Sequence, residues 1–584
     1  MTTPSRVGAA VRRLLPLSAA ALVAVLAGCS TVPISSATVQ ITQVAQPTDA
    51  SAGVEPLAPE PGATPEEVVR GFIEASASVV RRHPIARQYL AADAADEWTD
   101  SGVVTVISGD YAPVQTELGT VEVTGTLVGT VDERGVFTVG TGSVFRRSFS
   151  LSDDSGEWRI TDPADGLVLL EPDFTRTYEP VAAYFLDPTL TRVVPDPRYL
   201  VRGEAQPNTL VTRLIAGASP AISAGVVNPL AGAELRSTVA VSGASATVDL
   251  TWRDDVSDEL LAAAAGQLTW SLAQLGLDAV TVLRDGQELG LPGMPAQQTT
   301  ADWAALDPDV APVGAVGHFI AGGGLRLATD GSPSPGPAGA GAYGLTAAAI
   351  TVDRTSNDLG LTAGVSTTVN PSGSPATLFA GPYDGELAPV LTGASFTDPT
   401  TAATRAEVWT VRNGSEVVRL AAGGSGQTVS APTLAGLGRA TVFQLSPDGV
   451  RAAVVAQGPD GGQVYVGTVV RSDDVVSVRD LRSVAPTVRQ VVDVAWRNAG
   501  QLMFLAGDPS TERTVPYTVG VDGRDLAAQT VSGLPGQPTA LAAAPGRQPL
   551  VTADETIWQL AGGNWTTLVR GAEPVPGSAP FYPM

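Results

Sequence analysis

The sequence predicts a multidomain chain: an α+β N-terminal domain, a β/α middle domain and an all-β C-terminal propeller of about five to six blades. Three observations carry this. A capped amphipathic helix leads into alternating apolar runs between residues 64 and 172. A second, longer striped helix sits among short strand patterns between residues 173 and 296. From 313 to 584 the chain is nearly all strand and turn, and its signals recur with a period near 48. At 584 residues it has ample length for several cores.

The N-terminal domain opens with Thr64-Pro65-Glu66-Glu67. Thr64 suits the N-cap, Pro65 the first helical position, and Glu67 closes a capping box. Val68, Val69, Phe72, Ile73, Ala75, Val79 and Val80 then mark one apolar face. His83-Pro84 predicts the end of that helix, because a residue before proline avoids the helical region. A short helix is expected over 87–98. Alternating runs at 103–107, 121–131, 135–139, 147–152 and 157–161 read as antiparallel strands. Turns fall at Asp132–Gly135 and Asp153–Gly156. Helices followed by a curled antiparallel sheet describe an α+β domain of the cystatin or NTF2 type.

The middle domain has strand patterns at 181–186, 190–194, 235–241, 246–250 and 279–283, and a helix over 208–216. Its clearest element is a helix from Ser257 to about Leu275. Ser257 caps it, Asp258 and Glu259 complement its dipole, and Gly276 stands at its end. The ordered series Ala183-Tyr184-Phe185-Leu186-Asp187, Thr209 to Gly217, Ala246 to Leu250, Gln267 to Leu272 and Val280-Thr281-Val282 resembles the GerMN domain of germination and sporulation proteins. That resemblance implies helices packed on one sheet and brings no catalytic residue with it. Residues 297–312 read as a linker.

In the last part, Ser446-Pro447-Asp448-Gly449, Asn498-Ala499-Gly500 and Pro545-Gly546 each join two strand patterns. The anchors Asp448, Asn498 and Gly546 are 50 and 48 residues apart, and Asp353 precedes Asp448 by 95. A degenerate copy lies at Asp398-Pro399. A strand, a tight turn, a second strand and a further hairpin make one propeller blade. Five blades are counted by anchor, and the early strands at 315–320 and 325–328 are expected to close a sixth.

The first 28 residues have the parts of a secretory signal: Arg6, Arg12 and Arg13, then an apolar run over Leu14–Ala27. A run of about 14 residues is too short for a spanning helix, which needs about 20. Leu26-Ala27-Gly28-Cys29 matches the lipobox of bacterial lipoproteins, and Cys29 is the only cysteine in the chain. The match implies cleavage before Cys29 and its acylation. Residues 30–63, rich in Ser, Thr, Ala, Pro and Gly, read as a tether of at most roughly 110 Å.

Composition removes several functions. The formal net charge is −24, and all 35 basic residues are arginine, so neither a nucleic-acid-binding face nor a P-loop lysine is available. One cysteine and two histidines exclude intrachain disulfides and cysteine-based zinc sites. His83 reads as a helix-end residue and His318 as a core or surface histidine in a strand. Gly339, Gly341 and Gly344 form a GxGxxG within a Gly/Pro-rich loop that opens no helix, so they predict no dinucleotide site. Asp254-Asp255, Asp307/Asp309 and Asp473-Asp474 read as turn residues. No catalytic, metal or cofactor-binding residue is expected, and Cys29 is the single site residue, for lipidation.

Lipobox, tether, α+β domain, GerMN-like domain and propeller together resemble the LpqB-type actinobacterial lipoproteins over the whole mature chain. The resemblance implies a lipid-anchored protein on the extracytoplasmic face of the cell membrane. It also implies a non-enzymatic accessory of the MtrAB two-component system, whose partner is the extracytoplasmic domain of an MtrB-like sensor histidine kinase. Cell envelope homeostasis and division are the processes it would influence. A cell-wall glycan-binding or glycan-processing lipoprotein is the alternative reading.

Overall fold

The computed structural model describes residues 56–584, save 310, 313, 354, 368–374, 473–474 and 570. The end of the expected tether is already packed: the Leu57 carbonyl accepts the Tyr89 hydroxyl at 3.0 Å.

The first helix, α1 (Pro65–Ala75), starts at the expected cap. The Thr64 hydroxyl accepts the Glu67 N–H at 3.3 Å, and the Glu67 carboxylate accepts the Thr64 N–H at 2.8 Å. The helix stops before the apolar stripe does. The Ser76 hydroxyl donates back to the Phe72 carbonyl at 2.7 Å, and Val80 beyond it is exposed. His83 therefore ends no helix. It sits in a loop where Arg82 and His83 both have positive φ, 65° and 42°. The single helix expected over 87–98 is split into a 3-10 turn (Ala86–Tyr89) and α2 (Ala92–Glu97). Between them Leu90 bridges to Ile160, and the Ala91 N–H donates to Ile160 at 2.8 Å, so pairing with the sheet interrupts the helix.

Seven strands follow: β1 (Val104–Ile107), β2 (Ala112–Glu117), β3 (Thr120–Val131), β4 (Phe137–Val139), β5 (Val144–Asp154), β6 (Glu157–Ile160) and β7 (Leu167–Leu170). The first half of β3 pairs with β2 and β5, and its second half with β1 and β4, so the sheet curls around α1. One pairing departs from the antiparallel expectation: β7 runs parallel to β1. Gly166 permits this entry. Its φ is +80°, and a Cβ there would lie 2.2 Å from the Val103 carbonyl oxygen.

The N-terminal domain ends in α3 (Glu171–Thr177), whose Phe174 is in its core, and the middle domain contains β8 (Tyr178–Leu186), β9 (Val193–Val201), α4 (Gln206–Ala216), β10 (Glu234–Leu235), β11 (Ala240–Ser242), β12 (Ser245–Thr251), α5 (Asp258–Ala273) and β13 (Ala279–Arg284). β8 and β9 form a long hairpin. Leu190, expected in a strand, lies in its turn at φ 56°, where the Asp187 carboxylate accepts the N–H groups of Thr189, Thr191 and Arg192. The strand expected at 235–241 is broken into β10 and β11, each pairing with a different end of β12. β12 and β13 are parallel, joined across α5.

The Ser257 hydroxyl caps α5 by accepting the Leu260 N–H at 3.3 Å. Leu261, Ala264, Leu268 and Leu272 are buried. Another face meets the hairpin, where Gln267 donates to the Tyr184 carbonyl at 2.8 Å. The stretch read as a linker, 297–312, covers α5 as well. Trp303 and Leu306 close on Gly266, and Trp270 donates to the Trp303 carbonyl at 3.1 Å. A helix apolar on several sides needs that cover.

Among the described residues the propeller has six sheets. Four have four strands each: blades 2 (347–393), 3 (400–429), 4 (439–483) and 5 (491–528). Blade 6 (538–576) has five. Blade 1 takes two early strands, His318–Ala321 and Gly324–Leu327, as expected. Its innermost strand is Ser578–Phe581 from the end of the sequence. Innermost strands of successive blades touch one another, and Ser578–Phe581 touches both blade 6 and blade 2, which closes the ring. The Gly/Pro-rich segment is packed rather than a free loop. It forms a helical turn, α6 (Gly336–Gly339), and a Cβ at Gly339 would lie 1.8 Å from the Ser334 carbonyl oxygen.

Candidate functional site: the domain seam and the propeller channel

Cys29 and the signal peptide lie outside the described residues, as do Asp473-Asp474. His83 is held by Asp100, Nδ1 to Oδ2 at 2.8 Å, with the Arg87 guanidinium 3.9 Å from the other carboxylate oxygen. Arg87 also donates to the Trp98 carbonyl at 2.9 Å and lies 5.1 Å over its ring, so this group fastens the loop beside α1. His318 is fully buried, between the Val316 carbonyl at 2.9 Å and the Tyr383 hydroxyl at 3.0 Å, with its ring stacked on Phe581. Burial pushes its pKa down to about 4, so it is a neutral pin where the ring of blades closes. Asp254 and Asp255 sit in an exposed turn.

Asp309 serves the seam between the middle domain and the propeller, accepting the Ala499 N–H at 2.8 Å. The centre of that seam is charged. In blade 4, Arg451 donates to the Pro195 carbonyl of β9 and lies 3.7 Å from Asp448. Both side chains are almost wholly enclosed, at 2% and 0% exposure. Asp448 also accepts the Ser446 hydroxyl at 2.5 Å and the Val450 N–H at 2.8 Å. Beside it, Arg198 of β9 pairs with Asp196 at 2.8 Å, and Asp196 accepts the Ser219 N–H at 2.6 Å. Burial pushes the Asp448 carboxyl up and the Arg451 guanidinium down, each opposed by the other's charge.

A second contact joins β9 to blade 5, where the Tyr199 hydroxyl donates to Asp522 at 2.9 Å. A third joins the N-terminal domain to blade 5. Arg524 pairs with Glu171 at 2.8 Å and lies over the rings of Phe137 and Phe174. Those rings pack on Tyr199, so all three domains meet around one aromatic cluster.

The propeller channel is a separate environment. A cavity of about 60 Å3 is lined by the innermost strands and by Asp398 and Asp493. Asp493 accepts the N–H groups of Val494 at 2.8 Å and Leu541 at 2.6 Å, which ties blade 5 to blade 6. Burial, then the nearby Asp398 charge, pushes Asp493 up to about 8. Asp398 is exposed to the lumen yet enclosed by protein mass, and burial pushes it up to about 6. Neither was singled out from the sequence as a site residue. Their spacing held the signal: Asp398 and Asp493 are 95 residues apart, the same two-blade interval as Asp353 and Asp448.

Fold and seam define a class: a GerMN-like domain fused to a closed propeller, with a further α+β domain ahead of both. Residues 58–175 match the family described as Lipoprotein LpqB, N-terminal domain, residues 182–290 match Sporulation and spore germination, and residues 324–583 match Lipoprotein LpqB beta-propeller domain. A Lipoprotein LpqB of Rhodococcus opacus is 31% identical, covering 81% of this chain and 81% of that one. Another, from Mycolicibacterium smegmatis, is 30% identical over 88% of this chain and 89% of its own length. A solved structure of TolB from Acinetobacter baumannii is 11% identical, covers 54% of this chain and 85% of that one, and has a TM-score of 0.34. The chain belongs to the LpqB lipoprotein family. Among the described residues no helix is long and apolar enough to cross a membrane.

Proposed function

We propose that this lipoprotein is anchored by acylated Cys29 on the extracytoplasmic face and acts by binding, as an accessory of a membrane sensor kinase of the MtrB type. The observation that supports a binding role is the seam. Contacts that cross between domains support reading the three as one presenting surface rather than modules that close around a substrate: Arg451 on the Pro195 carbonyl, Tyr199 on Asp522, and Arg524 on Glu171 beside a shared aromatic cluster. Acylation of Cys29 would hold that surface near a membrane partner. Tethering raises effective concentration, so a modest interface suffices.

The test replaces Cys29 with alanine in the producing organism and reads two outputs. The expected outcome is release of the protein from the membrane fraction together with reduced output of the kinase pathway. Full output from a released protein overturns the tethered mechanism. Photo-crosslinking from the propeller surface, followed by identification of the captured membrane protein, addresses the partner; crosslinks to no sensor kinase overturn that assignment.

A further inference from the structure

Away from the seam and the channel, the propeller carries a polar groove of about 720 Å3. It lies between the connection of blades 4 and 5 (487–490), the blade 5 hairpin (507–514) and Gln537. That volume falls in the roughly 300–1,000 Å3 range of small-ligand sites. Its walls adopt backbone conformations their residues rarely take: Gln490 has φ 58° and Glu512 has φ 54°. Gly507 makes room for this, since a Cβ there would come within 2.6 Å of the Gln490 side-chain oxygen. Non-glycine residues in that region cost energy and gather at binding sites.

Two arginines line the groove beside Asp508 and Glu512; neutral oxygens fix Arg489, and Arg513 makes one hydrogen bond. Arg489 donates to the carbonyls of Pro486 and Val488. In the amide orientation that satisfies both partners, Gln463 accepts from its Nε at 3.1 Å and from its Nη1 at 2.8 Å. Arg513 donates through one nitrogen to the Gly536 carbonyl at 3.3 Å. Among the described residues neither meets a carboxylate, so each keeps its charge and spare N–H groups for a ligand. The Asp508 carboxylate in the same wall is engaged by the Ser510 N–H and hydroxyl and the Thr511 hydroxyl. Tyr517 lines the groove and stacks on Phe504 with centroids 5.4 Å apart, which makes it a rigid platform. The Gln537 side-chain oxygen accepts from Thr514, leaving its amide NH2 to donate.

We propose that this groove binds a carboxylated N-acetyl amino sugar, the chemistry of a peptide-free cell-wall glycan strand, whose lactyl carboxyl is a free acid. The carboxylate pairs with Arg489 and Arg513, the acetamide accepts from Gln537, and the pyranose ring lies on Tyr517. Planar guanidinium forks match carboxylates, and Arg489 is already held in place, so it loses little freedom on binding.

The test is calorimetry on the full mature chain with two probes. One is the N-acetylglucosamine–N-acetylmuramic acid disaccharide, and the other is neutral chitobiose. The wild type is expected to favour the acidic sugar by about tenfold or more, the worth of one charge-assisted hydrogen bond. Arg489→Ala combined with Arg513→Ala removes that preference, and Tyr517→Ala weakens both sugars. Unchanged melting temperatures show that the variants fold; where the double variant does not, Arg513→Gln replaces it. Absence of wild-type binding, equal binding of the two sugars, or an arginine variant that keeps the preference overturns the proposal.

Discussion

Aspartates are enclosed in two regions of this molecule, and the two regions treat them differently. At the seam, Asp196 and Asp448 each lie beside an arginine and accept further hydrogen bonds. In the channel, Asp398 and Asp493 face each other's charge, and Asp493 is supported by backbone N–H groups alone. Each pair lies within one domain, and docking adds the Pro195 carbonyl to which Arg451 donates, so a wrong arrangement leaves part of a buried guanidinium unsatisfied. Uncompensated charge is relieved by protonation instead. The channel therefore answers to pH through carboxyls with no cation beside them among the described residues, whereas at the seam the larger disturbance is removal of one partner of a pair.

The sharpest way to break the comparison is Arg451→Met. It leaves Asp448 buried without its cation and removes the bond to the Pro195 carbonyl. Removing one partner of a buried pair costs about 3–5 kcal/mol. Urea denaturation is expected to show this loss, and Arg451→Met combined with Asp448→Asn should recover much of it. A single variant as stable as the wild type would mean that the seam charges carry no stability.

Tyr199→Phe is milder. It deletes one hydroxyl that crosses from β9 to Asp522. A hydrogen bond to a charged acceptor contributes about 1.5–3 kcal/mol. The expected result is a loss in the lower part of that range, because the phenyl ring still packs against Phe137 and Phe174. Differential scanning calorimetry reads the shift, and Phe137→Leu, which disturbs the rings and not the hydroxyl, separates the two contributions.

The same contrast explains what could be read from the sequence. The Thr64 and Ser257 caps, the long α5 helix and the propeller period are local patterns, and local patterns are legible. The early stop of α1 was not, because the apolar stripe runs on to Val80, which is exposed beyond the end of the helix. The strand from Ser578 to Phe581 pairs with His318–Ala321 across nearly the whole propeller, which no local signal reports. Arg451 stands just after a Ser-Pro-Asp-Gly turn that many blades share, and only the docked β9 carbonyl gives it a role. Cys29 lies outside the described residues, so the fold adds nothing to what its local motif implies.

The smallest expected effect is the one with the clearest pH signature. A carboxyl whose folded pKa is raised binds its proton more tightly in the native state than in the unfolded chain, so stability falls as pH rises. For Asp398 that window runs from about 4, its ordinary value, to about 6. For Asp493 it extends to about 8. Below the window both acids are neutral in either state, and above it the full cost is present. Asp398→Asn removes one charge and relieves Asp493 of its neighbour, so wild type and variant should be equally stable near pH 4. Near pH 8 the variant should be more stable by about 1 kcal/mol, less than the shift alone implies because lumen water screens Asp398. Melting curves across that range check it. A constant difference at every pH would place the effect in packing, whereas one that grows with pH assigns it to the channel carboxylates.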